Sequence, residues 1–275
     1  TKGKACLAGS VSINKTNNET QAYLHNSSIS GVNKVNVQAE DKSIIQSIAG
    51  ALAFGGKAGV GLSFAWNELA NDVWAFISDS DVDAASTVTV DATTDNSIDS
   101  ITAAIGASKE TMAAAASVSI NTISNTTTAY ISGKKSAAGI DAGNGVLVNA
   151  QDDSDIFAIA GSLGASAGKV GVGASVAWSE TSNIVDASIE NSADIDNASG
   201  DVTVQASSDS QIEAIAAAGG IAGKAAISGS FSAVQTNNTV KANVKNLAQI
   251  NTAGKLTVSA EDTAGIRSIA GNVAL

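Results

Sequence analysis

The feature that most constrains this chain is that it repeats itself five times. A stretch that is clearest at 57–67 (KAGVGLSFAWN) has counterparts that begin near Lys4, Thr111, Lys169 and Lys224. Self-similarity at a fixed period of about 55 residues is typical of stacked repeat architectures, so it predicts one elongated domain. The predicted units are 1–53, 54–107, 108–165, 166–220 and 221–275.

Several residue types recur at fixed phases of this unit. The repeat-defining positions are Ser10, Ser63, Ser117, Ser175 and Ser230, then Asn18, Asn71, Asn125, Asn183 and Asn238. Further on, the chain re-aligns on Ala39, Ala92, Ala150, Ala206 and Ala260, each followed by two Ile at fixed spacing. Nearly all variation in unit length falls in one loop, longest at Ser132–Gly145. Insertions at one point per repeat map to one outer face of a stack.

The residue pattern within each unit predicts several short strands. In 58–67 the side chains alternate with period two, which places Leu62, Phe64 and Trp66 on one face and small or polar residues on the other. The sequence predicts that the bulky face is buried. The chain contains 26 Gly and no Pro, and the absence of Pro suits a chain of paired strands because Pro cannot donate to a sheet ladder.

The fourth segment of the unit fits two structures. Ile45, Ile48 and Leu52 fit helical spacing, and Ala favours helix. Gly50 and its counterparts would each cost a helix about 1 kcal/mol relative to Ala. We therefore favour a strand that follows the third one after a bulge.

The predicted fold class is all-β, an elongated β-solenoid and in particular a parallel β-helix of five repeats. In-phase Ser, Asn, Ala and Ile positions supply the stacked side chains that such a helix needs. If one repeat is one coil, equivalent Asn residues lie about 4.8 Å apart and can form a ladder. Two coils per repeat would separate them. A third arrangement treats the turn at 55–57 as a β-hairpin with antiparallel pairs.

Charge and composition exclude several classes of protein. The net charge is −11 and Arg267 is the only Arg, which argues against nucleic-acid binding. Cys6 is the only Cys, so an internal disulfide framework is excluded. The apolar run 215–234 is long enough for a membrane span, but Lys224 interrupts it, and a pair of strands around a turn fits better.

The pattern at 156–178, from Ile156-Phe157-Ala158 to Ala177-Trp178, resembles the repeats of leukotoxin-type filamentous adhesins of Gram-negative bacteria. The resemblance covers the whole chain and implies an exported, β-helical, surface-associated protein. It carries over no catalytic residues. The chain departs from the pattern at Val234, where other units have a polar residue, and it shows no secretion or capping module.

The inventory of reactive side chains argues against an enzyme. A polysaccharide-acting β-helix would need clustered carboxylates beside a basic group. The acidic pairs at 40–41, 152–153 and 261–262 recur at one phase, and we interpret them as a solvated turn. His25 is the only His and lies in a polar loop without a nucleophile, which predicts an exposed side chain.

Calcium is the only cofactor that the sequence suggests. Asp79, Asp81 and Asp83 alternate like the start of an EF-hand loop, although the Gly and the twelfth-position Glu of that loop are missing. Carboxylates at a similar phase of a later unit are Glu190, Asp194 and Asp196.

The sequence thus predicts a non-catalytic shaft of an extracellular or cell-surface filamentous adhesin. Its variable loop would present contacts to a host or cell-surface glycan or protein. The alternative is a self-assembling filament subunit that stacks head to tail through its terminal repeats, because unpaired strand edges template further pairing. The third hypothesis is a polysaccharide-acting β-helix enzyme.

Overall fold

The structure, a computed structural model, describes residues 4–136 and 139–275 and is a parallel β-helix of five coils. Coil one contains β1 Ala5–Thr16, β2 Glu19–His25, β3 Ser28–Val32 and β4 Val35–Gly55. Coil two contains β5 Ala58–Leu69, β6 Asp72–Ser78, β7 Asp81–Ala84 and β8 Thr87–Ser108. Coil three contains β9 Met112–Ile123, β10 Thr126–Ser132, β11 Ile140–Ala142 and β12 Gly145–Ser166.

The last two coils follow the same path. Coil four contains β13 Val170–Thr181, β14 Ile184–Glu190, β15 Asp194–Ala198 and β16 Val202–Ala222. Coil five contains β17 Ala225–Thr236, β18 Thr239–Val244, β19 Gln249–Thr252 and β20 Leu256–Ala274. Equivalent strands form four five-stranded parallel sheets, which we call sheets A, B, C and D in their order along each coil.

Each repeat is one coil. Ser10 pairs with Ser63, and every other repeat-defining Ser pairs with its counterpart in the next unit. The predicted solenoid of five repeats is confirmed. Of the two alternatives, one coil per repeat is correct and two coils per repeat is wrong. The hairpin alternative at 55–57 is wrong, since the strands on either side of this turn lie in different sheets and all ladders are parallel.

The corner between sheets B and C uses the left-handed backbone region. The first residue there with positive φ is Asn26, Asp79, Gly133, Asn191 or Asn246 in successive coils, and in coils four and five the next residue, Ser192 or Leu247, has positive φ as well. Asn, Asp and Gly are the residues that tolerate this conformation best. The same residue chemistry therefore recurs at this corner for a backbone reason.

The third and fourth predicted segments form one unbroken strand of sheet D. In β4 the burial alternates along the whole strand, so Ile45 points inward and Ile48, three residues later, points outward. The fourth segment is a strand as we favoured, but the predicted break between the two segments is wrong.

The cross-section of the coil has a broad half and a thin half. In the broad half, sheets B and C and the first residues of each sheet D strand surround an aliphatic core. Its members include Val90, Ile131 and Ile195, all fully buried. Beyond it lies a second apolar cluster, formed by Ile45, Leu69, Ile98, Ile123, Ile156 and Ile212.

The thin half, which we call the blade, consists of sheet A packed face to face on the last residues of each sheet D strand. Near the blade's tip the two sheets meet backbone to backbone. A Cβ on Gly59 would lie 2.0 Å from the carbonyl oxygen of Ala107, and one on Gly173 would lie 2.1 Å from that of Gly219. Only glycine permits this approach, because real Cβ atoms do not come that close.

The prediction that the bulky face of the repeated stretch is buried is wrong. In the part of β5 that belongs to the repeated stretch, the inward residues are Gly59, Gly61, Ser63, Ala65 and Asn67, and the bulky face, including Trp66, points to solvent. The interior of the blade is too thin for large side chains, so the small residues occupy it.

Candidate functional site

The three carboxylates predicted to bind calcium do not converge. Asp79 is a corner residue with φ 46°, and Asp83 is an exposed residue of β7. Within the described residues, no three His, Cys, Asp or Glu side chains are arranged so that they could hold a metal ion.

Asp81 instead holds the long loop of coil three. Its Oδ1 accepts hydrogen bonds from the backbone N–H of Ser136 at 3.0 Å and of Gly139 at 3.2 Å. A hydrogen bond from the Ser136 side chain, followed by those backbone donors, holds the pKa of Asp81 below its ordinary value. Residues 137 and 138 of the predicted variable loop Ser132–Gly145 lie outside the described residues.

The later carboxylates of similar phase are also engaged by neighbouring coils. Lys134 pairs with Asp194 at 2.8 Å, and Lys245 pairs with Glu190 at 2.9 Å. Asn251 donates from Nδ2 to Asp196 at 2.9 Å. These contacts join successive coils along the outer surface, where each ion pair is worth at most about 1 kcal/mol.

His25 lies at the end of β2 and is exposed, as predicted. Its Nδ1 lies 2.9 Å from the Ser78 Oγ of the next coil. Cys6 is half-buried on the inward side of β1, where it pairs with Gly59. Among the residues that the structure describes, neither His25 nor Cys6 belongs to a group of three His, Cys, Asp or Glu side chains that could hold a metal ion.

The predicted Asn positions form a continuous ladder at the corner between sheets A and B. The backbone N–H of each Asn donates to the Oδ1 of the Asn in the next coil. The distances are 2.9 Å from Asn18 to Asn71, 3.3 Å from Asn71 to Asn125, 2.9 Å from Asn125 to Asn183 and 3.1 Å from Asn183 to Asn238. At the corner where the chain turns from sheet A to sheet B, the side-chain oxygen of each Asn therefore accepts the hydrogen bond that a backbone carbonyl would accept within a sheet.

Buried aspartates complete this corner ladder from the opposite wall. Asp41 accepts from Asn18 Nδ2 at 3.2 Å and from Asn71 Nδ2 at 2.7 Å. Asp152 accepts in the same way from the side chains of Asn125 and Asn183. One carboxylate thus serves the Asn residues of two coils. Between these carboxylates the register places Thr94, and then Ser208 before Asp262, so acid alternates with hydroxyl along the stack.

The interpretation of the acidic pairs as a solvated turn is wrong. Each pair lies within a strand of sheet D, and Asp152 is only 1% exposed. Burial raises the pKa of Asp152 to about 6, and the hydrogen bonds from Asn125, Ser154 and Asn183 oppose that rise. Sequence reasoning missed these residues, although their period-two alternation with Ala39 or Ala150 places them on the inward face.

A second polar ladder runs inside the blade. Asn14 donates to Asn67 at 2.8 Å, and Asn67 donates to Asn121 at 2.8 Å. The next two positions in register are Ser179 and Val234. Val234, the departure noted in the sequence, packs against the cluster that contains Leu69 and Ile212 and against an alanine cluster of the blade, so the ladder is replaced by apolar packing at this end. The alanine cluster consists of Ala158, Ala160, Ala177, Ala214 and Ala216.

Both outer faces of the blade are apolar. On sheet A the exposed side chains are Leu7, Val11, Ile13, Leu62, Trp66, Trp178, Ile227 and Phe231. On sheet D they include Ile48, which is 79% exposed, Leu52, Phe54, Ile101, Ile105 and Val273. Trp74 is 38% exposed on sheet B. Contiguous apolar surface of this kind marks an interaction site in soluble proteins.

Charges flank the apolar face of sheet D on both sides. On one side lies an acid band of outward carboxylates, formed by Asp95, Asp99, Asp153, Asp155, Asp209 and Glu213. Burial and then mutual repulsion raise the pKa of Asp153 and of Asp155. On the other side are the turns at the blade's tip, which carry one exposed lysine each: Lys57, Lys109, Lys169 and Lys224. The second of these turns also carries the exposed Glu110.

Comparison with known proteins identifies no relative. A scan against protein-family models, a search of curated proteins and a search of solved structures each found no match. The resemblance to filamentous adhesin repeats therefore stays a prediction. Among the described residues, the structure contains no helix of the length and apolarity that a membrane-spanning helix requires.

Proposed function

We propose that this chain is a non-catalytic shaft segment of an extracellular filamentous adhesin. The observation that carries the proposal is the pair of interior Asn ladders, which tie successive coils at the same position of each coil. A side chain that bonds its own counterpart in the next coil resists axial bending and fraying of the stack. Rigidity along one axis is the property that a shaft requires.

The loops beside sheet C differ in length from coil to coil, whereas the Asn ladder at the corner between sheets A and B runs through every coil. The long loop of coil three is held to coil two through Asp81 and to coil four through Lys134. In the proposed function this side presents contacts to a glycan or protein on another cell. The ladders would keep those contacts at a fixed distance from the cell that produces the fibre.

Immunolabelling of the producing cells tests the proposal. Antibodies raised against the folded chain are expected to label filaments on intact cells, and protease treatment of intact cells should remove the label. Labelling that appears only after permeabilisation would show that the proposal is wrong.

A second candidate is a subunit that polymerises head to tail. It is favoured by the shared four-strand path of coil one and coil five, which would let coil five of one copy continue its four ladders into coil one of the next. Electron microscopy of the purified chain across concentration separates the two. Fibres with an axial repeat near 24 Å, five coils at about 4.8 Å each, support polymerisation, and separate short rods support a shaft segment.

A further inference from the structure

We propose that two copies of this chain pair side by side through the apolar face of sheet D. The pairing would follow a two-fold axis that lies in this face and runs along the coils. It does not depend on the shaft function or on head-to-tail growth, because it uses a lateral surface. The occupant of the face is a second copy of the same chain.

The relief of the face is self-complementary. Small residues form a groove along the coils, at Gly50, Ala103, Gly161, Ala217 and Gly271, which occupy one register position. Two ridges flank the groove. The isoleucine ridge contains Ile48, Ile101, Ile159, Ile215 and Ile269, and the leucine ridge contains Leu52, Ile105, Leu163 and Val273. In coil four Gly219 takes the register position of the leucine ridge and interrupts it, and the groove and this gap form an open apolar depression of about 680 Å³.

The proposed two-fold axis reverses the strand direction of the second copy and keeps coil opposite coil. The leucine ridge of each copy then lies over the groove of the other. Such an interface is isologous, so every contact occurs twice and the assembly closes as a dimer.

The charges match under the same operation. Reversal of the strands places the tip lysines of one copy over the acid band of the other. In the three middle coils, Lys109 faces the Asp99 region, Lys169 faces the Asp155 region and Lys224 faces the Glu213 region. An open depression of about 670 Å³ beside Asp155 and Glu213 can receive a lysine side chain. In the described part of the chain, the ion pairs found use cations other than these lysines, and two of those cations lie at the ends of the acid band, where Lys42 pairs with Asp95 and Arg267 pairs with Glu213 at 3.0 Å. Asp99 and Asp155, which take part in none of these ion pairs, are therefore the main partners for the tip lysines.

The area is large enough for a stable pair. From the acid band to the tip, sixteen residues at about 3.3 Å and five strands at about 4.8 Å define a face of roughly 1,200 Å². A standard interface buries about 800 Å² on each partner. The apolar face of sheet A has no acid band beside it, since the register positions beyond it hold Lys15, Glu68, Thr122, Glu180 and Gln235.

Sedimentation velocity of a matched pair of variants tests the proposal. Ala217 and Ala174 both lie in coil four, are exposed and point outward, the first on sheet D and the second on sheet A. Ala217→Glu would bury an unpaired charge in the groove, so the dimer dissociation constant should rise by about 100-fold or more. Ala174→Glu should leave it unchanged. Circular dichroism would verify that both variants are folded.

A mixing experiment tests the charge match independently. Lys109→Glu, Lys169→Glu and Lys224→Glu together, or Asp99→Lys, Asp155→Lys and Glu213→Lys together, should each weaken self-association roughly tenfold or more. The equimolar mixture of the two triple variants should recover the association, because each tip then faces a band of opposite charge.

Three outcomes would overturn the proposal. The first is a wild-type chain that remains monomeric at 100 μM but floats with phosphatidylcholine vesicles, which would assign the face to lipid. The second is a dimer that survives Ala217→Glu and is lost in Ala174→Glu. The third is a small-angle scattering profile in which association doubles the length of the particle and leaves its cross-section unchanged.

Discussion

The broad half of the coil and the blade are built from the same repeats yet place their side chains by opposite rules. In the broad half, Val90 and Ile131 point inward and polar residues such as Asp91 point outward. In the blade, glycine, alanine, serine and asparagine point inward and the large apolar residues point outward. The distance between the walls therefore decides which side chains are buried.

The two halves are also held together by different forces. The broad half depends on the hydrophobic effect and on the close packing of aliphatic side chains. The blade depends on backbone proximity and on hydrogen-bonded ladders, with its apolar surface outside. Substitutions of the same kind should thus have opposite consequences in the two halves.

The largest effect is expected when the blade is forced apart. Gly173→Val places a Cβ 2.1 Å from the Gly219 carbonyl oxygen, and the paired backbones cannot separate without breaking ladders. The free energy of unfolding should fall by more than about 3 kcal/mol in urea titrations. Gly229→Val is the matched control, since nothing lies within 4 Å of its Cβ, and it should be neutral or slightly stabilising. Equal losses in the two variants would contradict the thin interior.

The next largest effect is expected from a cavity in the broad half. Ile131→Ala removes a fully buried side chain of the aliphatic core and should cost about 3 kcal/mol. The same change on the outside of the blade, Ile101→Ala, should cost under about 1 kcal/mol in the monomer, because Ile101 is 41% exposed. Thermal and urea unfolding of both variants check the ranking, and a larger loss at Ile101 would reverse the comparison.

A pH-dependent effect of moderate size is expected at the junction of the two halves. Burial raises the folded-state pKa of Asp152 from 3.8 to about 6, so its contribution to stability is complete below pH 3.8 and is lost as the pH rises through about 6. The difference is on the order of 2–3 kcal/mol.

Asp152→Asn should remove this part of the slope in urea unfolding measured from pH 4 to pH 7. Part of the slope will remain, because the pKa values of Asp153 and Asp155 are raised too. Asp141→Asn removes a half-buried carboxylate of sheet C and serves as the charge control. An unchanged slope in Asp152→Asn would show that the buried carboxylate does not titrate in this range.

The smallest effect is expected on the outside of the broad half. The ring of Phe76 stacks between Tyr23 and Tyr130, with centroid distances of 5.0 Å and 4.8 Å. Phe76→Ala should cost about 1 kcal/mol, since ring stacking adds to the area that is buried. Tyr23→Phe and Tyr130→Phe keep the rings and should leave the unfolding midpoint unchanged.

The repeat pattern of the sequence predicts the fold well, but it predicts only in part which face of each strand is buried. In-phase Ser, Asn and Ile residues predict a stack, and the structure pairs them in register. Alternation with period two defines two faces of a strand but does not say which face is inside. The assumption that bulky residues are buried holds for Val35–Ala39 and fails for Leu62, Phe64 and Trp66, since wall spacing is a property of the whole coil.

The candidate sites were harder to predict for a related reason. Asp81 resembles a metal ligand in sequence, but its partners are backbone N–H groups from a loop about 55 residues away. Asp41 and Asp152 look solvated beside Glu40 and Asp153, yet they face the Asn ladder of the opposite wall. Such contacts depend on which segments the coil brings face to face, and residue spacing within one segment does not encode that.

Beside the Asn ladder, carboxylate and hydroxyl side chains alternate from coil to coil, so the pattern repeats every two coils. Two buried carboxylates in adjacent coils would lie about 4.8 Å apart. They would have to share a proton, because two adjacent negative charges without a counter-ion repel each other. An array with this pattern can therefore gain or lose coils in pairs, and a single-coil deletion that brings Asp41 next to Asp152 would join two like charges. The structural unit is one coil, but a change of length that preserves this alternation has to add or remove two.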